Sequence, residues 1–181
     1  MTLARELLAN QTVRLSSAGN CNAICTLAEY TRQYRDLNAM LEHFPPGSIA
    51  VLAFPCNQFH WAEPGDGEEI EQALRHVRPG NGWEPHPDLR LMAKIEVNGD
   101  AQHPIYSFLE SQCPQTVTEL APRNDLAYNH VKITDVTWNF EKFLIDKMGR
   151  PRFRFHPTAW LGGKLVKPYV EQLLAEADFL E

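Results

Sequence analysis

The run Ser48–Ile49–Ala50–Val51–Leu52–Ala53 constrains this chain more than any other stretch. Pro45, Pro46 and Gly47 bound it on one side and Phe54–Pro55 on the other. A short continuous apolar run between turn signals reads as a buried strand. Pro55 cannot donate to a ladder and biases Phe54 towards extended geometry, so the strand stops there. The polar loop that follows, Cys56–Asn57–Gln58–Phe59, then lies at the carboxyl end of a central strand, where open α/β sheets form their sites.

The flanking pattern supplies helices. Tyr30, Tyr34, Leu37, Met40 and Leu41 recur at helical spacing over residues 29–44. Asp66 or Gly67 can cap a second helix over residues 68–77, whose early glutamates suit an N-terminus. Residues 89–97 read as a strand ended by the Asn98–Gly99 turn. Pro104 opens a helix to about Cys113, and a long polar excursion, 114–129, follows. Residues 136–145 lead into a strand, Asp146–Gly149 turns, and Arg152–Phe155 is its partner. A final helix over residues 164–177 has Leu165, Val166, Tyr169, Val170, Leu173 and Leu174 as its apolar stripe. Residues 1–28 carry the weakest pattern: Thr12–Leu15 alternates as a short strand and Ser16–Asn20 is a turn cluster. The expectation is a single α/β domain over residues 1–181, a central mixed sheet flanked by helices, with an atypical N-terminal segment at 1–28.

Composition narrows function by exclusion. A net charge of −6 leaves no footprint for nucleic acid or an anionic membrane. No apolar run approaches the roughly 18 residues of a spanning helix. The four cysteines, Cys21, Cys25, Cys56 and Cys113, match no zinc spacing, so no metal is expected and free thiols are the default. The opening MTLARELLANQTVRL has no apolar h-region, so a cytoplasmic location is expected, and secretion only of a longer N-terminus.

Several motifs in order carry a family resemblance. FPCNQF followed by EPG and EEI resembles the second signature of the glutathione peroxidases. YTRQYRDLNAM resembles the helix after that family's active-site residue, VRPGNGWEP a family turn, and WNFEKFLIDKMGRP the third signature. CPQTVTEL and the excursion after it resemble the longer, tetrameric animal members, so a homo-oligomer, tetramer or dimer, is implied. The resemblance covers Tyr30 to the C-terminus. It implies a thioredoxin-like fold, reduction of hydrogen peroxide and organic hydroperoxides, glutathione as co-substrate and no prosthetic cofactor.

Matched motif by motif, the family's supporting donors fall on Gln58, Trp138 and Asn139. Amide and indole N–H groups stabilise an attacking chalcogen anion without adding charge, and they polarise the leaving oxygen. The nucleophile itself is the departure. Anchored on Tyr34 and Asn38, its position falls on Ala28 or Leu27, neither of which can attack a peroxide. Cys25 is the nearest thiol and the candidate substitute. The arginines that hold glutathione carboxylates in the family are missing from Phe155–Thr158, leaving Arg152 and Arg154 nearby and Arg32 on the first helix. His60, Trp61 and Ala62 stand at the pocket mouth where the family has a Gly and then commonly a polar pair ending in Gln. Two readings stay open: a peroxidase altered around a selenocysteine codon, and a non-catalytic interaction subunit on the same scaffold.

Overall fold

The buried run becomes strand β2, Ile49–Pro55, and it lies one place from the centre of a five-stranded sheet. The computed structural model describes residues 31–176 and the backbone of residues 13–19. The strands are β1 (Val13–Gly19), β2, β3 (Leu89–Leu91), β4 (Lys142–Ile145) and β5 (Pro151–Phe155), in the order β3-β2-β1-β4-β5. β1, β2 and β3 are parallel; β4 and β5 run antiparallel and close the sheet as a hairpin. The helices are α1 (Gln33–His43), α2 (Gly67–His76), α3 (Pro104–Gln112) and α4 (Lys167–Ala175).

Strand alternation sorts the core into two layers. From β2, Ile49 and Val51 join Leu37, Met40 and Leu41 of α1, Ile70 and Leu74 of α2, and Val170 and Leu173 of α4. Phe54 points the other way and packs with Tyr106 and Leu109 of α3 and with Phe59, Val97 and Val136. β4 divides likewise: Leu144 enters the first layer, Phe143 and Ile145 the second.

The helix termini follow local chemistry. Asp66 precedes α2, and its N–H donates to Glu69 Oε2 at 3.3 Å. His103 caps α3 by accepting Ile105 N–H on Nδ1 at 3.2 Å, with Pro104 at the first helical position.

Four expectations are corrected. β1 extends through Ser16–Gly19, read as a turn, because β2 and β4 supply a ladder on both sides. The third strand stops at Leu91; beyond it the chain only touches β2, through Met92 N to Ala53 O and Ile95 N to Pro55 O. Residues 136–141 are an irregular turn, not strand, and β4 begins at Lys142. The last helix begins only at Lys167, and Leu165 before it and Tyr169 within it are exposed rather than buried, Tyr169 lying across Phe153 and Phe155 of the edge strand.

Candidate active site

At the end of β2 the chain leaves the sheet through Cys56–Phe59. Cys56 has no exposed surface, and burial pushes its thiol up to about 11, so it is a protonated core group. Gln58 is also buried, and its amide is largely spent on backbone. Oε1 accepts from Val97 N and Asn98 N, both at 2.9 Å, and Nε2 donates to Asn98 O at 2.9 Å. The other Nε2 contact, Glu96 Oε2 at 3.5 Å, is long, which leaves one N–H of Gln58 weakly engaged.

The second wall is the turn before β4. Phe59 carries the contact to it, its ring lying 5.7 Å from that of Trp138. Asn98 carries the other: Nδ2 donates to Val136 O and Oδ1 accepts from Val136 N, both at 2.9 Å. The loop that carries Gln58 and the turn that carries Trp138 are therefore joined through Phe59 and Asn98. Asn139 follows, 1% exposed, and neither Oδ1 nor Nδ2 has a hydrogen-bond partner among the described residues. An unpaired buried amide costs about 1–3 kcal/mol, so a group left in this state is a candidate for ligand contact. Phe140 then takes φ +64°, a left-handed conformation that is an outlier for an aromatic residue and turns the chain into β4.

Glu141 fixes this turn from behind. It accepts from Thr137 N and Thr137 Oγ1 at 2.7 and 2.6 Å and pairs with Arg154. Arg154 was expected near the substrate. Its side chain is instead 1% exposed and donates through Nε, Nη1 and Nη2 to Glu141, Thr134 O and Asp135 O, so burial keeps it from a glutathione carboxylate in the solvent. Arg152 is held by Glu176 and Asp146. Arg32 is exposed and lines a cleft of about 470 Å³ with Gln33, Asp36, Thr158 and Trp160.

Residues missed by sequence reasoning support both walls. Lys142 has no exposed surface; Nζ donates to Gln33 Oε1 at 2.5 Å and Phe140 O at 2.7 Å and lies 4.4 Å from the Trp160 ring. Burial lowers its pKa to about 7. Glu110 accepts from Gln102 at 2.8 Å, and burial pushes its carboxyl up to about 7. A strand lysine and a helix glutamate read as solvated charges, so pattern held no signal for either. The excursion packs on the pocket: Phe59 bridges Leu126, Ala127 N donates to Gln58 O at 2.8 Å, and His60 Nδ1 lies 3.2 Å from Asp125 Oδ1. His60 and Trp61 both have left-handed backbones, and the Trp61 ring is exposed. Leu27, Ala28 and Cys25 lie outside the described residues. Among the described residues no group of three or more His, Cys, Asp or Glu could hold a metal ion.

The sheet order, with helices packed on its faces, defines the class as thioredoxin-like. The crystal structure described as T. cruzi GPX1 shares this fold, with a TM-score of 0.60 at 22% identity, covering 96% of this chain and 88% of that one. Residues 11–110 match the family model for glutathione peroxidase. Glutathione peroxidase 3 of Caenorhabditis elegans is 53% identical over 84% of this chain and 68% of its own length. The cuticular glutathione peroxidase of Brugia malayi is 49% identical over 84% of this chain and 69% of its own. This chain belongs to the glutathione peroxidase family.

These relatives also correct the expected cytoplasmic location. One is named cuticular, and another, from Macaca fascicularis, 41% identical over 75% of this chain and 61% of its own, is named epididymal secretory. Both names point outside the cell.

Proposed function

We propose that this chain is an extracellular protein that keeps the hydroperoxide pocket of its family but turns over slowly with glutathione. The family's reaction passes one peroxide oxygen to a chalcogenolate, breaks the O–O bond and releases the alcohol; two thiols then return the chalcogen to its reduced form, leaving as a disulfide together with water. Asn139 and the weakly engaged N–H of Gln58 are suited to hold the peroxide and stabilise the departing oxygen. The observation that carries this reading is the buried Asn139 amide, unpartnered among the described residues and next to a Trp138 tied to the Gln58 loop. Slow turnover follows from Ala28 or Leu27 at the nucleophile position.

The test is NADPH oxidation coupled to glutathione with hydrogen peroxide and cumene hydroperoxide. The expected rate is close to background and unchanged in Cys25→Ser. A robust rate lost in Cys25→Ser overturns the reading and makes Cys25 the nucleophile.

A second reading, an interaction subunit, is favoured by Val131 and Ile133, which stand exposed just beyond the excursion. It expects a homo-oligomer by light scattering that Ile133→Lys dissociates; a monomer sinks it.

A further inference from the structure

Asn98 stands in a sequence context, Asn-Gly, that ordinarily marks a surface turn. Here it has no exposed surface. Its backbone faces one way: N–H and C=O both bond the Gln58 amide. Its side chain faces the other way and closes a two-point bond with the Val136 peptide groups. Val136 is two residues before Trp138 and three before Asn139. One residue thus spans the two walls with four hydrogen bonds of 2.9 Å.

The surroundings hold that residue in place. Gly99 has φ +77°, and a Cβ there would meet Asn129 O at 3.0 Å and Tyr128 side-chain atoms at 3.2 Å. Gln102, just before α3, donates from Nε2 to Val97 O at 2.8 Å and braces the turn.

We infer that Asn98 is a positioning residue: its side-chain amide sets the placement of Trp138 and Asn139 relative to Gln58. The chemistry is specific to an amide. Only a side chain with one donor and one acceptor on the same planar group satisfies both Val136 N–H and Val136 C=O. An aspartate carboxylate meets the N–H but sets a second oxygen against the carbonyl. Protonated, it regains a donor and imitates the amide.

The inference rests on the peroxide-pocket reading only for its ligand arm, so the test has two readouts. Protein carrying 5-fluorotryptophan shows four 19F resonances, from Trp61, Trp83, Trp138 and Trp160. The Trp138 signal is assigned by its loss in Trp138→Phe. Asn98→Ala is expected to move the Trp138 resonance while Trp83 and Trp160, in the other core layer, stay fixed. It is also expected to weaken the tert-butyl hydroperoxide titration of that resonance roughly tenfold, the size of one lost hydrogen bond. Asn98→Asp is expected to match Asn98→Ala at about pH 8 and return to the wild-type position near about pH 5, as its carboxyl protonates. The inference is overturned if Trp138 does not move in Asn98→Ala. It is equally overturned if Trp83 and Trp160 move with it, or if Asn98→Asp shows no return in acid. A wild-type Trp138 that ignores the hydroperoxide defeats the pocket reading alone, and the resonance positions still decide the role of Asn98.

Discussion

Arg154 and Glu141 form an ion pair with 1% and no side-chain exposure respectively. Glu141 also accepts both Thr137 donors, and Arg154 also donates to Thr134 O and Asp135 O. A pair with its remaining lone pairs and protons satisfied in this way offsets its desolvation, while removing one partner strands the other charge. Arg154→Met is expected to cost about 3–5 kcal/mol in urea unfolding. Adding Glu141→Gln should recover a substantial part. A double variant that loses the sum of the two single losses would show that the pair is uncoupled.

Lys142 predicts a stability that rises with alkali. Its folded pKa is near 7 against an ordinary 10.5, because burial opposes the charge more than Asp36 and Glu141 favour it. Between those values the unfolded chain binds the extra proton, so the lysine's contribution to stability increases with pH there. The difference in unfolding free energy between wild type and Lys142→Met should therefore grow in favour of wild type from about pH 7 towards about pH 10. A difference that is flat over this range defeats the prediction.

Glu110 predicts the opposite trend at lower pH. Its folded pKa, near 7, is raised by burial from 4.5, so the folded state holds the extra proton in between. The stability it contributes is complete below 4.5 and is lost as pH rises towards 7. Glu110→Gln keeps the shape and cannot ionise. It should gain on wild type as pH is raised through this window, read from thermal melts. A variant that loses ground at neutral pH would show that the carboxylate is needed charged.

Cys56 and Cys113 are buried free thiols, and burial raises both pKa values. With the thiolate as the reactive form, neither should be alkylated by iodoacetamide in the folded protein, and both should be in urea. Labelling of Cys56 in the native state, read by peptide mass, would show a reactive thiol there and defeat the prediction.

The parts of this fold that were legible share one property: local chemistry and tertiary burial agree. Ile49–Pro55 is apolar, bounded by prolines and central, and Pro104 and Gly67 mark helix starts for reasons internal to the chain. β1 was half hidden because Ser16–Gly19 has turn composition, and only the strands on both sides make it a ladder. The apolar residues of 92–97 were misread as strand because Val97 is buried through its side chain while its N–H goes to Gln58 rather than to a ladder. Within the site, Gln58, Trp138 and Asn139 were readable as types in a motif. Their support was not. Asn98 resembles a surface turn, and Lys142 and Arg154 resemble outward strand charges, because burial of a polar group is decided by partners distant in sequence.

The central strand β1 keeps its pairing with β2 out to Gly19, whose rung is Pro55, while its pairing with β4 ends at Ser17, opposite Lys142. Among the described residues no rung of β1 lies beyond Gly19. Because β1 and β2 are parallel and end level at Gly19 and Pro55, the chain leaves both strands at one edge of the sheet, the same edge from which the Gln58 loop departs.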